Sequence, residues 1–212
     1  YCLVPEELAR GDASTCVAIS VTNSLFCAPL QRYGTSEQKE RFLCPCVNGE
    51  WLGAFCLSES GAGSDAAALS TIARREGDDF VLSGSKAWVT NGAVCGAMLV
   101  FAVTDPESAR SRVSAFVIPA DHPGASIVHE EDKLGIRSSR TNQVALDDCR
   151  IPREWMLGEE GQGLAIALNS LDGGRVGIAA QAVGIGHAAL AFTLDYVRER
   201  EVFGGPIGRF GG

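Results

Sequence analysis

Chemistry in this chain concentrates in two strand-to-turn stretches. Phe55-Cys56-Leu57-Ser58-Glu59-Ser60-Gly61-Ala62-Gly63-Ser64-Asp65 runs from apolar residues into hydroxyls, a carboxylate and glycines. Glycine lets the backbone turn sharply and approach another molecule closely. Ser58, Ser60 and Ser64 supply short donors that reach either the backbone or a ligand, and Asp65 can cap or fold the turn. Such a turn at a strand end can hold a large polar cofactor; an ordinary solvated turn is the competing reading. The second stretch, Lys86-Ala87-Trp88-Val89-Thr90-Asn91-Gly92, is another apolar run entering an Asn-Gly turn. It places Trp88 and Thr90 on one strand face. A flat indole beside a hydroxyl suits a flat heterocycle, which one stacks on and the other hydrogen-bonds.

Three further stretches carry weaker signals. Asp172-Gly173-Gly174-Arg175 precedes a helical pattern, where Asp is an ordinary N-cap. Arg200-Glu201-Val202-Phe203-Gly204 follows that pattern, where an Arg suits the negative end of the helix. Gly158, Gly161 and Gly163 have no strand–turn–helix context of the dinucleotide-binding kind and are not read as a phosphate loop.

Leu57-Ser58-Glu59, Gly63-Ser64-Asp65 and Trp88-Val89-Thr90-Asn91 resemble the flavin-contacting motifs of the acyl-CoA dehydrogenases, above all their short-chain (butyryl-CoA) branch. The similarity runs through nearly the whole chain. It implies FAD held by Phe55, Cys56, Leu57, Ser58, Glu59, Ser60, Gly61, Ala62, Gly63 and Ser64, by Trp88, Val89 and Thr90 beside the isoalloxazine, and by Arg200, which would reach the pyrophosphate in a neighbouring subunit. It implies acyl-CoA held by Ser64, Asp172, Gly173, Gly174 and Arg175. The implied activity is α,β-dehydrogenation of short-chain acyl-CoA to trans-2-enoyl-CoA in fatty-acid β-oxidation, with electrons passed to an electron-transfer flavoprotein. A homotetramer follows from the same resemblance, as does a location in the mitochondrial matrix for a eukaryotic source or the cytoplasm for a bacterial one.

Two positions depart from the family pattern. Ser60 stands where the family has Pro, and Gly211 stands where it has a FAD-contacting Gln. The family's catalytic Glu belongs to a later helical region, so no catalytic residue is assigned and the chain alone is expected to be inactive. Two alternatives stay open: a truncated, non-catalytic FAD- or CoA-binding module, and a branched-chain dehydrogenase or an acyl-CoA oxidase.

The elements that must position these residues follow from periodicity. Helices are expected from Val4 to Arg10, stopped by Gly11, and from Cys16 to about Arg32, capped from among Asp12 to Thr15. A short one begins at Ser36, with Ser36 and Lys39 near a capping-box spacing, and ends before Pro45. From Trp51 short apolar runs alternate with turn residues: 51–57, 69–75, 79–85, 86–90, 97–103, 113–119, 125–129 and 142–151. That is the texture of a β-sandwich or barrel. A helix over 164–171 is expected to break at Asp172-Gly173-Gly174, after which Arg175 opens a long one to about Arg200, with Gly177, Gly184 and Gly186 admitting a close neighbour. The expected class is therefore α+β: helical residues 1–50, a central β domain over 51–157 and helices again over 158–212. The resemblance implies that the first is the end of an N-terminal helical domain and the last the start of a C-terminal helical bundle, incomplete at both ends.

Composition bounds the rest. The chain has 212 residues, 46% hydrophobic and 21% charged, enough for a real core. Its net charge of −8 argues against nucleic acid or an anionic membrane surface as partner, so a CoA anion must be met by local Arg. The eight cysteines lack a disulfide pattern or a C-x-x-C pair and read as reduced thiols. His122, His129 and His187 are scattered, and no metal site is expected. No targeting segment is recognised, and no apolar run is expected to be long enough to span a bilayer.

Overall fold

The structure, a computed structural model, describes residues 1–108 and 111–211; Gly212, the last residue of the expected third domain, lies outside them. Helix α1 (Leu3–Gly11) ends as Asp12 turns extended. The Asp12 carboxylate then accepts from the backbone N–H groups of Ser14 and Thr15, at 3.1 and 2.9 Å, and caps α2 (Ala13–Val21). This helix starts earlier than expected because the cap sits at the first of the candidate positions. It continues through a π-helical turn, Thr22–Cys27, into α3 (Ala28–Tyr33).

The π turn lies where the helix crosses the first strand, β1 (Leu52–Cys56). Thr22 Oγ1 accepts from the Gly53 N–H at 3.1 Å, and a Cβ on Gly53 would stand 2.3 Å from the Phe26 ring. Only glycine permits that crossing. A capping box closes the start of α4 (Ser36–Gln38), formed by Thr35 and Gln38 rather than by Ser36 and Lys39. The helical path then runs past Pro45 instead of ending before it, through Lys39–Leu43 and α5 (Cys44–Val47). Pro45 falls in a first turn, where its missing N–H costs nothing.

Nine further strands follow: β2 (Ile72–Glu76), β3 (Asp79–Thr90), β4 (Cys95–Val103), β5 (Val113–Pro119), β6 (Ala125–Glu130), β7 (Thr141–Pro152), β8 (Met156–Leu157), β9 (Glu201–Val202) and β10 (Gly205–Pro206). The first eight form one sheet in the order β6-β7-β3-β2-β4-β5-β8, with β1 parallel to β4. The two runs expected at 79–85 and 86–90 are one strand carrying a register shift between Lys86 and Val89. β3 and β5 are not neighbours in the sheet, yet the Phe80 and Phe116 rings lie 5.2 Å apart. The sheet therefore folds over itself as a sandwich.

β4 is buried on both faces and is accordingly apolar throughout. Met98, Val100 and Ala102 face the sandwich interior with Phe80, Leu82, Val144 and Phe116. Leu99, Phe101 and Val103 face the helices, against Phe26, Leu30, Phe42 and Ile166. The second cluster is what fixes the helical segments to the sheet.

The last long element is α6 (Gly163–Glu199), an unbroken helix of 37 residues. The expected interruption at Asp172-Gly173-Gly174 does not occur, Arg175 does not open a new helix, and Asp172 is not an N-cap. Of the two glycines read as a break, Gly173 meets nothing and Gly174 is a contact point, and of those expected to admit a neighbour Gly184 does so and Gly186 does not. A Cβ on Gly184 would stand 2.1 Å from the Glu6 carbonyl oxygen, and one on Gly174 would stand 3.0 Å from Leu25 Cδ2. Gly186 meets nothing. Each glycine costs a helix interior about 1 kcal/mol relative to Ala, and here that cost is exchanged for close helix approach. Beyond α6, Phe203 and Gly204, with φ of 48° and 81°, make the tight turn of the β9–β10 hairpin.

Two helical spans, Ala13–Tyr33 and Gly163–Glu199, are long and apolar enough to cross a membrane, which corrects the expectation that none is. The first is a core element: Phe26 and Leu30 are fully buried beneath the sheet. Among the described residues no cluster of His, Cys, Asp and Glu could hold a metal ion, and the eight cysteines are free.

Candidate functional site

The end of β1 and the end of β3 meet beside α2 and α6, and a cleft of about 370 Å³ opens between them. Leu57, Ser58, Gly63 and Ser64 form one wall, Ala87, Trp88 and Thr90 the second. Val21 and Leu25 come from the helical segment, and Leu168, Leu171 and Arg175 from α6.

The first wall is a closed turn. Glu59 N–H donates to the Ala62 carbonyl at 2.9 Å and Ala62 N–H to the Glu59 carbonyl at 3.1 Å, leaving Ser60 and Gly61 exposed at the tip. Ser60 in place of a proline has not opened it. The second wall is a bulge. Trp88 has φ of 59°, a left-handed backbone that bulky side chains rarely adopt. Its indole is 62% exposed and stands at the cleft mouth, although its neighbour Val89 is fully buried in the sandwich. The extra residue at the bulge is what lets Ala87 join Trp88 and Thr90 on the cleft wall.

The two walls are tied together behind the cleft. Ala87 N–H donates to the Ser58 carbonyl at 2.8 Å. Lys86, with no exposed surface, donates to the Leu57 carbonyl at 3.2 Å and to Glu59 Oε1 at 2.7 Å. The Glu59 carboxylate also accepts from the backbone and side chains of Ser70 and Thr71, at 2.6 to 3.0 Å. Burial pushes the Glu59 carboxyl up, but the Lys86, Thr71 and Ser70 donors outweigh it and hold the group at about 2. Burial lowers Lys86, and Glu59 partly restores it.

The sequence-derived site residues separate accordingly. Phe55, Leu57, Ser58, Gly63, Ser64, Trp88, Thr90 and Arg175 line the cleft. Cys56 and Val89 point the other way, into the sandwich core, and Ala62 packs in the helix-facing cluster. Glu59 turns its carboxylate away, toward Lys86. Asp172 holds Arg175, through a 2.8 Å bond from the guanidinium, without lining the cleft.

Gly174 lines an apolar extension of about 270 Å³ that shares Val21, Leu25, Leu171 and Arg175 with the cleft. Gly173 lines a separate hollow beside Tyr33. Arg200 lies 25 residues beyond Arg175 on the same helix axis, about 37 Å away at 1.5 Å per residue. Sequence reasoning missed Val21, Leu25, Leu168 and Leu171; as apolar helix residues they carry no signal that distinguishes a cleft lining from a core.

Family models describe the three parts of one enzyme type in order: acyl-CoA dehydrogenase N-terminal domain over residues 1–50, middle domain over 54–149 and C-terminal domain over 161–212. The chain belongs to the acyl-CoA dehydrogenase family. It is 48% identical to the rat mitochondrial short-chain specific acyl-CoA dehydrogenase, over 98% of this chain and 50% of that one. The solved butyryl-CoA dehydrogenase of Megasphaera elsdenii matches with a TM-score of 0.97 and 44% identity, over 99% of this chain and 55% of that chain. A solved chain described with the electron transferring flavoprotein of Acidaminococcus fermentans matches with a TM-score of 0.97 and 43% identity, over 99% and 55%. The chain spans about half the length of the curated relatives it matches. Within this family the strained Trp88 stands in the middle-domain match, and Arg175 in the C-terminal one.

Proposed function

We propose that this chain is the FAD- and acyl-CoA-binding part of a short-chain acyl-CoA dehydrogenase. The observation that carries the reading is the convergence of Trp88 and Thr90 with Ser58, Ser64 and Arg175 on one cleft. Its donor set fits a flavin: an exposed indole to stack on, hydroxyls at the edge and a ring-sized volume with apolar walls. Bound FAD supplies the acceptor for a hydride leaving the β carbon of the acyl chain.

The protein's own part is placement. Trp88 would stack on a bound flavin, and Thr90 and Ser58 would offer it hydrogen bonds. Leu25, Leu168 and Leu171 keep water from the reacting carbons, which strengthens every polar interaction there. The apolar extension beside Gly174 and Ile178 is where the acyl tail would lie. Arg175 meets the anionic substrate at the shared rim. Arg200, far from this cleft, would serve the cofactor of a neighbouring copy in a homotetramer, and an electron transferring flavoprotein would reoxidise the reduced enzyme.

No carboxylate lines the cleft among the described residues, so the base that takes the α proton is not one of them. That observation favours a second reading for the chain taken alone, a binding module without turnover. The deciding measurement is the visible spectrum of the full-length protein titrated with butyryl-CoA. Flavin bands that bleach on addition support the proposal; bands that stay unchanged with short acyl esters count against it.

A further inference from the structure

We infer that the buried Glu59–Lys86 pair is a positioning device that holds the Trp88 bulge in its cofactor-facing shape. The inference rests on the flavin reading above and concerns residues that do not themselves line the cleft. Trp88 is strained, and a strained backbone persists only where its surroundings over-determine it. Three bonds do so here. Lys86 grips the carbonyl of Leu57 and the carboxylate of Glu59, and between them Ala87 N–H donates to the carbonyl of Ser58. Consecutive residues of one wall, Leu57, Ser58 and Glu59, are thereby tied to consecutive residues of the other, Lys86 and Ala87. Glu59 is anchored in turn by the hydroxyls and N–H groups of Ser70 and Thr71. The register of β3 against β7 slips immediately after Lys86, so the bulge begins where the grip ends.

A purely structural role would lower stability alone, because Leu and Met leave the Thr71 donors without their buried acceptor. A positioning role would also loosen the bulge and its hold on FAD. The experiment therefore compares the full-length protein with its Glu59→Leu/Lys86→Met variant. The readouts are FAD affinity of the apoprotein, hydrogen exchange at the Ala87 amide, the flavin circular dichroism spectrum and the melting temperature.

The expected result is a lowered melting temperature together with FAD bound at least tenfold more weakly and Ala87 exchanging at least tenfold faster, both measured where the variant is fully folded. Lys86→Arg, which keeps the donors, should recover most of both. FAD affinity within twofold of the parent, with unchanged Ala87 protection and an unchanged flavin spectrum, would overturn the inference. If the double variant does not fold, Glu59→Asp, which keeps the charge and shortens its reach, carries the same comparison with the same two outcomes. A parent apoprotein that fails to take up FAD sinks the cofactor reading instead, and Ala87 exchange still decides the pinning.

Discussion

Trp88 combines an unfavourable backbone with an exposed aromatic face, and that combination costs stability unless a ligand uses it. A residue held in such a region costs about 1–3 kcal/mol. Trp88→Gly removes the strain and the indole together. Glycine also loses more freedom on folding, by up to about 1 kcal/mol, so the variant is expected to be as stable as the parent or more stable by about 1 kcal/mol. Its FAD affinity should nonetheless fall at least tenfold; urea denaturation and fluorescence titration check the two halves. Glu59 adds a pH signature. Its folded carboxyl titrates at about 2 against an ordinary 4.5, so its contribution is complete above pH 4.5 and lost as pH falls toward 2. Stability measured across that window should drop more steeply in the parent than in Glu59→Leu/Lys86→Met.

At the scale of elements, the helix-to-helix contacts rest on missing side chains. Gly184→Ala puts a methyl against the Glu6 carbonyl, where a Cβ would stand only 2.1 Å away, and is expected to destabilise by about 1–3 kcal/mol. Gly186→Ala meets open space and should stabilise by about 0.4–1 kcal/mol. Opposite shifts of melting temperature from neighbouring glycines would confirm that α1 docks where α6 is bare. The same glycines explain what the sequence showed and what it hid. Strands were legible from alternation and turn residues, and Val113–Pro119 was placed to the residue. Asp172-Gly173-Gly174 misled, because a glycine pair inside a long helix has the same letters as a break. The cleft's polar half was legible through Ser58, Ser64, Trp88 and Thr90, whose types carry chemistry. Its apolar half and the Glu59–Lys86 tie were not, since burial and long-range pairing leave no mark in local spacing.

For the whole molecule, the uncovered face of α6 sets the behaviour of the isolated chain. Leu190, Phe192, Leu194 and Tyr196 are exposed by 44 to 75%, a run that monomers seldom leave in water. The 212-residue chain is expected to self-associate at micromolar concentration, read by light scattering. With no carboxylate lining the cleft among the described residues, it should also show no oxidation of butyryl-CoA with an artificial electron acceptor. Measurable turnover would mean that a proton-accepting group reaches the acyl chain from elsewhere in these residues.

Continuity of α6 has a geometric corollary. Because one rod carries Arg175 and ends one residue before Arg200, the spacing and angular phase between them are set mainly by helix pitch. Inserting a single alanine after Gly186 would leave the cleft untouched, yet it would swing the distal guanidinium by about 100° and advance it by about 1.5 Å. A graded series of such insertions would act as a vernier, returning Arg200 to its original bearing only after about four residues.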